Sequence, residues 1–346
     1  PLKKGYELRR SGRMRFRDSS ASNDDIRRLL DNYRPDAVAI DVLYGGERFR
    51  KNVLYHRSIM PDLLELVPES PLHLSLVIKL INTLERGVPV PDIFLFFDTA
   101  FFVDLPIQER TYALDAGFLG KSDPSSVPVR RFGYHGLYHS AAYRRVSSQY
   151  EDCRRVVSIC LEPVPEVVGI YAGKPVAVSG GSTPMEGIPG NTTCGEIDPG
   201  ILLFIEEKKK LGPESLNEML ARRSGLTALA GKSVSIDDVL VHGESYEAAK
   251  RLFEYRLLTA CGSAIATMNG FDALAFSGRY VGSASILAGD LIPGLLAASR
   301  VETQPAVFFL RDTLDEIIAA SYYRYGARES DFEEGVMPVG EADVGL

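Results

Sequence analysis

Residues 156–179, VVSICLEPVPEVVGIYAGKPVAVS, hold three short β-rich runs in close succession. Val156–Glu162, Glu166–Tyr171 and Lys174–Ser179 alternate with turn signals, and the last two meet at Ala172-Gly173, so the spacing predicts an antiparallel meander. Helices follow it. Pro199–Leu211 has Asp198 as N-cap and proline at its first position, and Pro213–Arg223 repeats the proline start. Glu244–Met268 is a long amphipathic helix with an apolar C-terminal half, Leu257–Met268. Asp272–Phe276 and Ala306–Leu310 are short buried strands, each followed by a helix. The resulting order is strand meander, helix, strand, helix. Upstream, an Asn/Asp start at Asn23 opens a helix to Leu30, and Asp36–Tyr44 is a strand ending at Gly45-Gly46. Ile93–Phe97 is a second buried strand, with Asp98 where its C-terminal end opens onto a crevice.

Composition narrows the function classes. The chain has 346 residues, 45% of them hydrophobic, a net charge of −7 and a pI near 5.4. Such a length accommodates two domains. The acidic balance gives no basic field for a nucleic-acid backbone, so no nucleic-acid partner is expected. The most apolar run, Ile93–Val103, is broken by Asp98 and falls short of the roughly 18 residues of a membrane span. Cys153, Cys160, Cys194 and Cys261 have no CxxC spacing and follow no signal peptide, which favours reduced thiols and a cytoplasmic location. Lys208-Lys209-Lys210 sits in the last turn of a predicted helix, where cations oppose the dipole. The acidic tail after Ser330 is expected to be loose.

Several collinear segments resemble the acetate kinase family. Arg130–His139, RRFGYHGLYH, is similar to its R-Y-G-F-H-G-T-S-H, and Phe97–Phe101 matches F-D-T-A-F. Tyr44–Glu47 resembles H-G-G-E, Pro71-Leu72-His73 resembles P-L-H, and Gly181–Pro199 matches G-F-T-P-L-E-G…G-D-I-D-P without a gap. The resemblance runs from about Asp36 to about Ala320. It implies an α/β fold of two actin-like, ribonuclease H-like βββαβα domains with an interdomain cleft, one formed by residues 1–103 plus 318–346 and the other by 104–317. It further implies phosphoryl transfer from ATP, with Mg2+, to a short-chain carboxylate. A homodimer through the second domain is implied as well, with the Glu244–Met268 helix near the interface.

Phosphoryl transfer between anions needs cations and N–H donors around the transferring group. The chain departs from the family at those positions. Asp41 stands where an arginine precedes H-G-G-E, and Thr193 where G-T-R-S-G-D carries another. Where the family has H-L-G-N-G-A-S, this chain reads Leu161–Val167, LEPVPEV. Pro163 and Pro165 each remove a backbone donor from that loop, and Glu162 and Glu166 add negative charge. G-I-G-E-N-S becomes Arg279–Ala284, RYVGSA, with bulky side chains where close backbone approach is needed. The N-terminal N-x-G-S-S-S loop has no match in these residues; it is deleted or stands upstream of Pro1.

Other family positions are kept. The resemblance assigns Asp98 a place beside metal and substrate, His135 a hydrogen bond to the transferring phosphoryl, and Glu316 an association with magnesium. A strand-end aspartate, a satisfied structural histidine and a surface helix carboxylate are the alternative readings. Leu43, Leu72, Tyr134 and Pro184 occupy the positions of the small acyl pocket, or pack a domain junction. His73 and Glu186 hold loops. His135 and His139, four apart, lack an HExxH pattern and a third ligand, so no zinc pair is read there. Two function classes remain open: a divergent carboxylate kinase in which Arg130, Arg131 or Arg279 replaces the lost cations, and a non-catalytic relative that dimerises or binds a small ligand. Loss of kinase activity is the favoured expectation, because the changes fall on phosphate-handling positions and spare the scaffold.

Overall fold

The computed structural model describes residues 20–87, 90–115, 129–299 and 305–325. The chain divides into two compact units, Pro1–Ala100 with Ile318–Leu346, and Phe101–Ile317. The acidic tail lies outside the described residues.

The first unit contains α1 (Ser20–Tyr33), β1 (Ala37–Val42), β2 (Val53–Leu54), α2 (Met60–Glu65), α3 (Pro71–Leu84) and β3 (Asp92–Phe97). Its sheet has the order β1-β3-β2, with β1 parallel and β2 antiparallel to β3. β3 is a continuous apolar run because both faces of a central strand are covered, and Phe94 to Phe97 are all buried. Asp98 follows at once, buried at the strand's C-terminal end. Helix α1, rather than a strand meander, leads into β1, so the described part of this unit has three strands, where the resemblance implies a βββαβα order in each domain.

The second unit contains α4 (Ile107–Arg110), α5 (Gly136–Ser147), β4 (Arg155–Cys160), β5 (Glu166–Tyr171) and β6 (Lys174–Val178). After these come α6 (Pro199–Lys209), α7 (Pro213–Arg222), α8 (Gly225–Ala230), α9 (Ile236–Val241) and α10 (Glu247–Met268). The unit continues with β7 (Ala273–Ser277), α11 (Ala284–Ser299) and β8 (Ala306–Phe309), and α12 (Leu314–Tyr325) begins within it. The sheet order is β6-β5-β4-β7-β8, antiparallel among the first three strands and parallel from β4 to β8. This is the expected βββαβα order. The meander, the two proline-started helices and both later strands form within a few residues of the sequence reading.

Two layers of helix sandwich this sheet. Val157, Ile159, Leu274 and Phe276 face a core completed by Phe253, Leu257 and Cys261 of α10 and Leu287 and Leu291 of α11. Alternate residues on β4 and β7 face the other way, where α5 packs. Gly169 of β5 lies where α10 crosses, since a Cβ there would stand 3.2 Å from that of Ala264. The apolar half of α10 is therefore spent on this core: Leu257, Cys261, Ala264, Ile265 and Met268 are all buried in it. No helix among the described residues is long and apolar enough to cross a membrane.

Candidate functional site

In the first unit the sequence-marked residues gather at the C-terminal ends of β1 and β3. Asp41 pairs in register with Phe96, Leu43 follows β1 half-buried, and Asp98 closes β3. The Thr99 hydroxyl accepts the Gly45 N–H at 2.8 Å, tying the Tyr44–Glu47 turn to the end of β3. Leu72 lies in the first turn of α3, next to His73. The Tyr44 hydroxyl donates to Glu69, which anchors the same turn from outside.

In the second unit His135 and Tyr134, just before α5, meet the loop that carries Pro163 and Pro165. His135 precedes that helix in the left-handed region, at φ 55°. Its Nε2 lies 2.9 Å from the Val164 carbonyl oxygen. A carbonyl only accepts, so Nε2 carries the proton and donates it to the loop. Burial holds His135 below the ordinary histidine pKa, so the ring is neutral. The Pro163 carbonyl accepts the Asn191 N–H at 2.8 Å, which joins this loop to the segment carrying Thr193. Thr193 is buried, and its hydroxyl accepts the Gly190 N–H at 3.2 Å. Pro165 is buried as well. Pro184 is half-buried in the loop whose Ser182 carbonyl accepts the Tyr134 hydroxyl at 2.8 Å.

Both carboxylates of the β4–β5 loop turn inward. Glu162 accepts the Arg279 N–H at 2.8 Å and its Nε at 2.7 Å, and the Tyr138 hydroxyl of α5 also bonds it. Glu166, 2% exposed, receives the Tyr134 N–H on both oxygens at 3.0 and 2.9 Å. His139 Nε2 lies 3.2 Å from Glu166 Oε2 but off the line of a hydrogen bond, while its Nδ1 pairs with Ser158 Oγ at 2.8 Å. Complete burial, reinforced by neighbouring His135, holds His139 well below the usual pKa. It is a neutral core histidine.

All three cations proposed to replace the missing arginines have partners within the unit. Arg130 is buried over Phe132 and donates to the carbonyls of Arg131 and Phe102. Arg131 pairs with Glu186 at 2.7 Å and donates to the Gly180 carbonyl. The Tyr112 hydroxyl takes the other Glu186 oxygen, so Glu186 is a loop tie, as the sequence suggested. Arg279 is the most exposed of the three and is held by Glu162. Glu316 accepts the Thr313 N–H at 3.0 Å while its own N–H bonds the Thr313 hydroxyl at 3.3 Å, a reciprocal cap on α12. That bond pair supports the helix-carboxylate reading of Glu316.

Sequence reading foresaw the residue types in the β4–β5 loop but not their partners. Tyr138 and Ser277 went unnoticed. Ser277 Oγ is fully buried at the end of β7 without a hydrogen-bond partner. Tyr138 could have been flagged from its position three residues after His135, one helical turn along. At the opposite ends of β4 and β7, a groove of about 620 Å³ is lined by Arg154, Arg155, Tyr171, Asn269 and Asp272. Among the described residues, no group of three His, Cys, Asp or Glu is placed to hold a metal ion.

Comparison with known proteins places these observations. The sequence model of the Acetokinase family matches residues 21–308. The chain is 30% identical over 267 residues to an acetate kinase of Porphyromonas gingivalis, covering 75% of this chain and 66% of that protein. An acetate kinase of Dictyoglomus turgidum is 29% identical over 314 residues, 88% of this chain and 74% of that protein. The crystal structure of Porphyromonas gingivalis acetate kinase matches with a TM-score of 0.73 and 25% identity, over 88% of this chain and 84% of that one. A propionate kinase from Francisella tularensis has the same fold, with a TM-score of 0.73 at 21% identity over 86% of this chain and 82% of that one.

Proposed function

The chain belongs to the acetokinase family, and from that premise we propose that it keeps the family scaffold while making little or no acyl phosphate. The observation that carries this reading is the β4–β5 loop. Its prolines at 163 and 165 offer no N–H, and its two carboxylates turn inward onto Arg279 and Tyr134. Its carbonyls at Pro163 and Val164 are bonded to Asn191 and His135. An incoming phosphoryl group would meet added negative charge and two positions stripped of a backbone donor, the reverse of what phosphoryl transfer requires. His135 in addition directs its one N–H to the loop. Replacement of the two family arginines by Asp41 and Thr193 points the same way. Removal of an arginine that stabilises phosphoryl transfer costs about a thousandfold or more in rate.

The resemblance to acetate kinases implies ATP and magnesium as cofactors. The residues of this loop do not fit a nucleotide phosphate, so neither is assigned to this chain. A short-chain carboxylate, the substrate class named by the acetate kinases it resembles, remains a candidate ligand. A non-catalytic role as a dimeric module follows from the same reading. Helix α6 supports it: Ile201, Leu203 and Phe204 are exposed, and none of its residues is buried. We assign the self-association surface to α6 rather than to the C-terminal half of α10, which its own core covers.

The functional test is ATP- and magnesium-dependent acyl-hydroxamate formation with acetate, propionate and butyrate. Background rates are expected with all three. Turnover that disappears in Asp98→Asn or His135→Ala would establish a working kinase and overturn the reading.

A further inference from the structure

We propose that Glu162 is a built-in ligand: its carboxylate fills a small oxyanion site formed by Arg279, the Arg279 backbone N–H and the first turn of α5. The inference deepens the functional reading of the same loop and rests on it. Its basis is the nature of the contacts. Two bonds from one residue, a backbone N–H at 2.8 Å and a guanidinium Nε at 2.7 Å, converge on the two oxygens of one carboxylate. A planar guanidinium combined with a main-chain donor is the arrangement that binds tetrahedral oxyanions such as phosphate and sulfate.

The surroundings are polar beyond what the ion pair needs. The Tyr138 hydroxyl reaches the same carboxylate from α5, a helix of 12 residues whose N-terminal dipole favours negative charge. Ser277 Oγ lies two residues before Arg279, fully buried and without a partner. It belongs to the same face of β7 as Ala273 and Ala275, opposite to Leu274 and Phe276, and therefore to the α5 side of the sheet. A fully buried hydroxyl with no partner within the chain is uncommon in a folded protein. Arg279 itself is half-exposed, so the site is open to solvent on one side. The carboxylate competes there with any external anion at very high effective concentration, because it is attached two residues from the end of β4.

Neutralising Glu162 should uncover the site. The experiment titrates inorganic phosphate by calorimetry into the full chain, as wild type, Glu162→Gln and Glu162→Ala. At least one variant is expected to bind phosphate about tenfold or more tighter than wild type, the scale of one charged hydrogen-bond competitor removed. Adding Arg279→Gln should abolish the gain. Glutamine is isosteric, so that variant keeps the comparison available if the alanine variant does not fold. Wild-type phosphate affinity in cooperatively folded variants, or a gain that survives the loss of Arg279, would overturn the inference. The two readings fail separately: wild-type hydroxamate turnover refutes the functional one, and equal phosphate affinities refute this one.

Discussion

Asp272 offers the sharpest quantitative test of how the second unit is held together. Its carboxylate joins the starts of two parallel strands, β4 and β7. One oxygen accepts the backbone N–H groups of Arg154 at 3.0 Å and Arg155 at 2.8 Å, and the other accepts Arg155 Nε at 3.0 Å and Nη2 at 2.6 Å. Asp272→Ala removes all four bonds, which do not count equally. Arg154 is exposed, so water replaces its bond at almost no net cost. The half-buried Arg155 N–H contributes about 1 kcal/mol. The ion pair, with side chains 37% and 22% exposed, is screened by solvent and contributes about 1 kcal/mol despite its bidentate geometry. The expected loss is therefore about 2 kcal/mol, or roughly 4–8 °C in Tm for a domain of this size. Asp272→Asn keeps an acceptor for the backbone and should lose about half as much.

The pH dependence has a definite sign. Burial alone would raise the Asp272 pKa, but the hydrogen bonds from Arg155 and Arg154 outweigh it and leave it below its ordinary value of 3.8. A carboxylate depressed by folding stabilises the folded state above its unfolded pKa of about 3.9, and the contribution is lost as pH falls through the folded value. The gap between wild type and Asp272→Asn should thus be constant from pH 7 to 5 and close below about pH 4. Urea unfolding followed by far-UV circular dichroism at pH 7, 5 and 3.5 measures both. A variant within about 0.5 kcal/mol of wild type at pH 7, or a gap that widens in acid, would refute the reasoning. Because Asp272 lies at the end of the sheet opposite Ser277, its loss should leave phosphate binding by Glu162→Gln unchanged.

Two further outcomes are expected. Leu203→Glu on α6, at a side chain 67% exposed, should leave the Tm of dilute protein within the equivalent of about 0.5 kcal/mol and halve the mass seen by light scattering; a wild-type monomer at micromolar concentration, or an unchanged dimer in the variant, would remove α6 as the self-association surface. Glu316→Ala should cost about 1 kcal/mol through loss of the α12 cap and Thr313→Ala a similar amount, with the double variant far from additive in thermal unfolding; full additivity would mean that the two residues do not act as one cap.

Sequence legibility followed the range of the interactions involved. The meander over 156–179 was legible because strand length, proline, glycine and β-branched content act within a few residues. Asp198 as the cap of α6 was legible for the same reason, its carboxylate accepting the Gly200 N–H at 2.8 Å. The apolar half of α10 was legible as apolar but not as to what covers it. Pattern alone does not distinguish a face buried against the chain's own β5 from one left exposed, and α6 leaves its apolar Ile201, Leu203 and Phe204 exposed.

The candidate site divides along the same line. Residue identity alone establishes that prolines at 163 and 165 have no N–H to give, that Asp41 and Thr193 carry no positive charge, and that Glu162 and Glu166 add acid to a loop. Those are properties of covalent structure. Where the acids point was decided only when β4 and β7 paired in parallel, bringing Arg279 to Glu162 across 117 residues of chain, and when α5 packed on the sheet, bringing the Tyr134 N–H to Glu166. Burial of a carboxylate is tolerated only where donors converge on it. Those donors come from segments distant in the chain, so tertiary structure, not local sequence, decided that the acids turn inward.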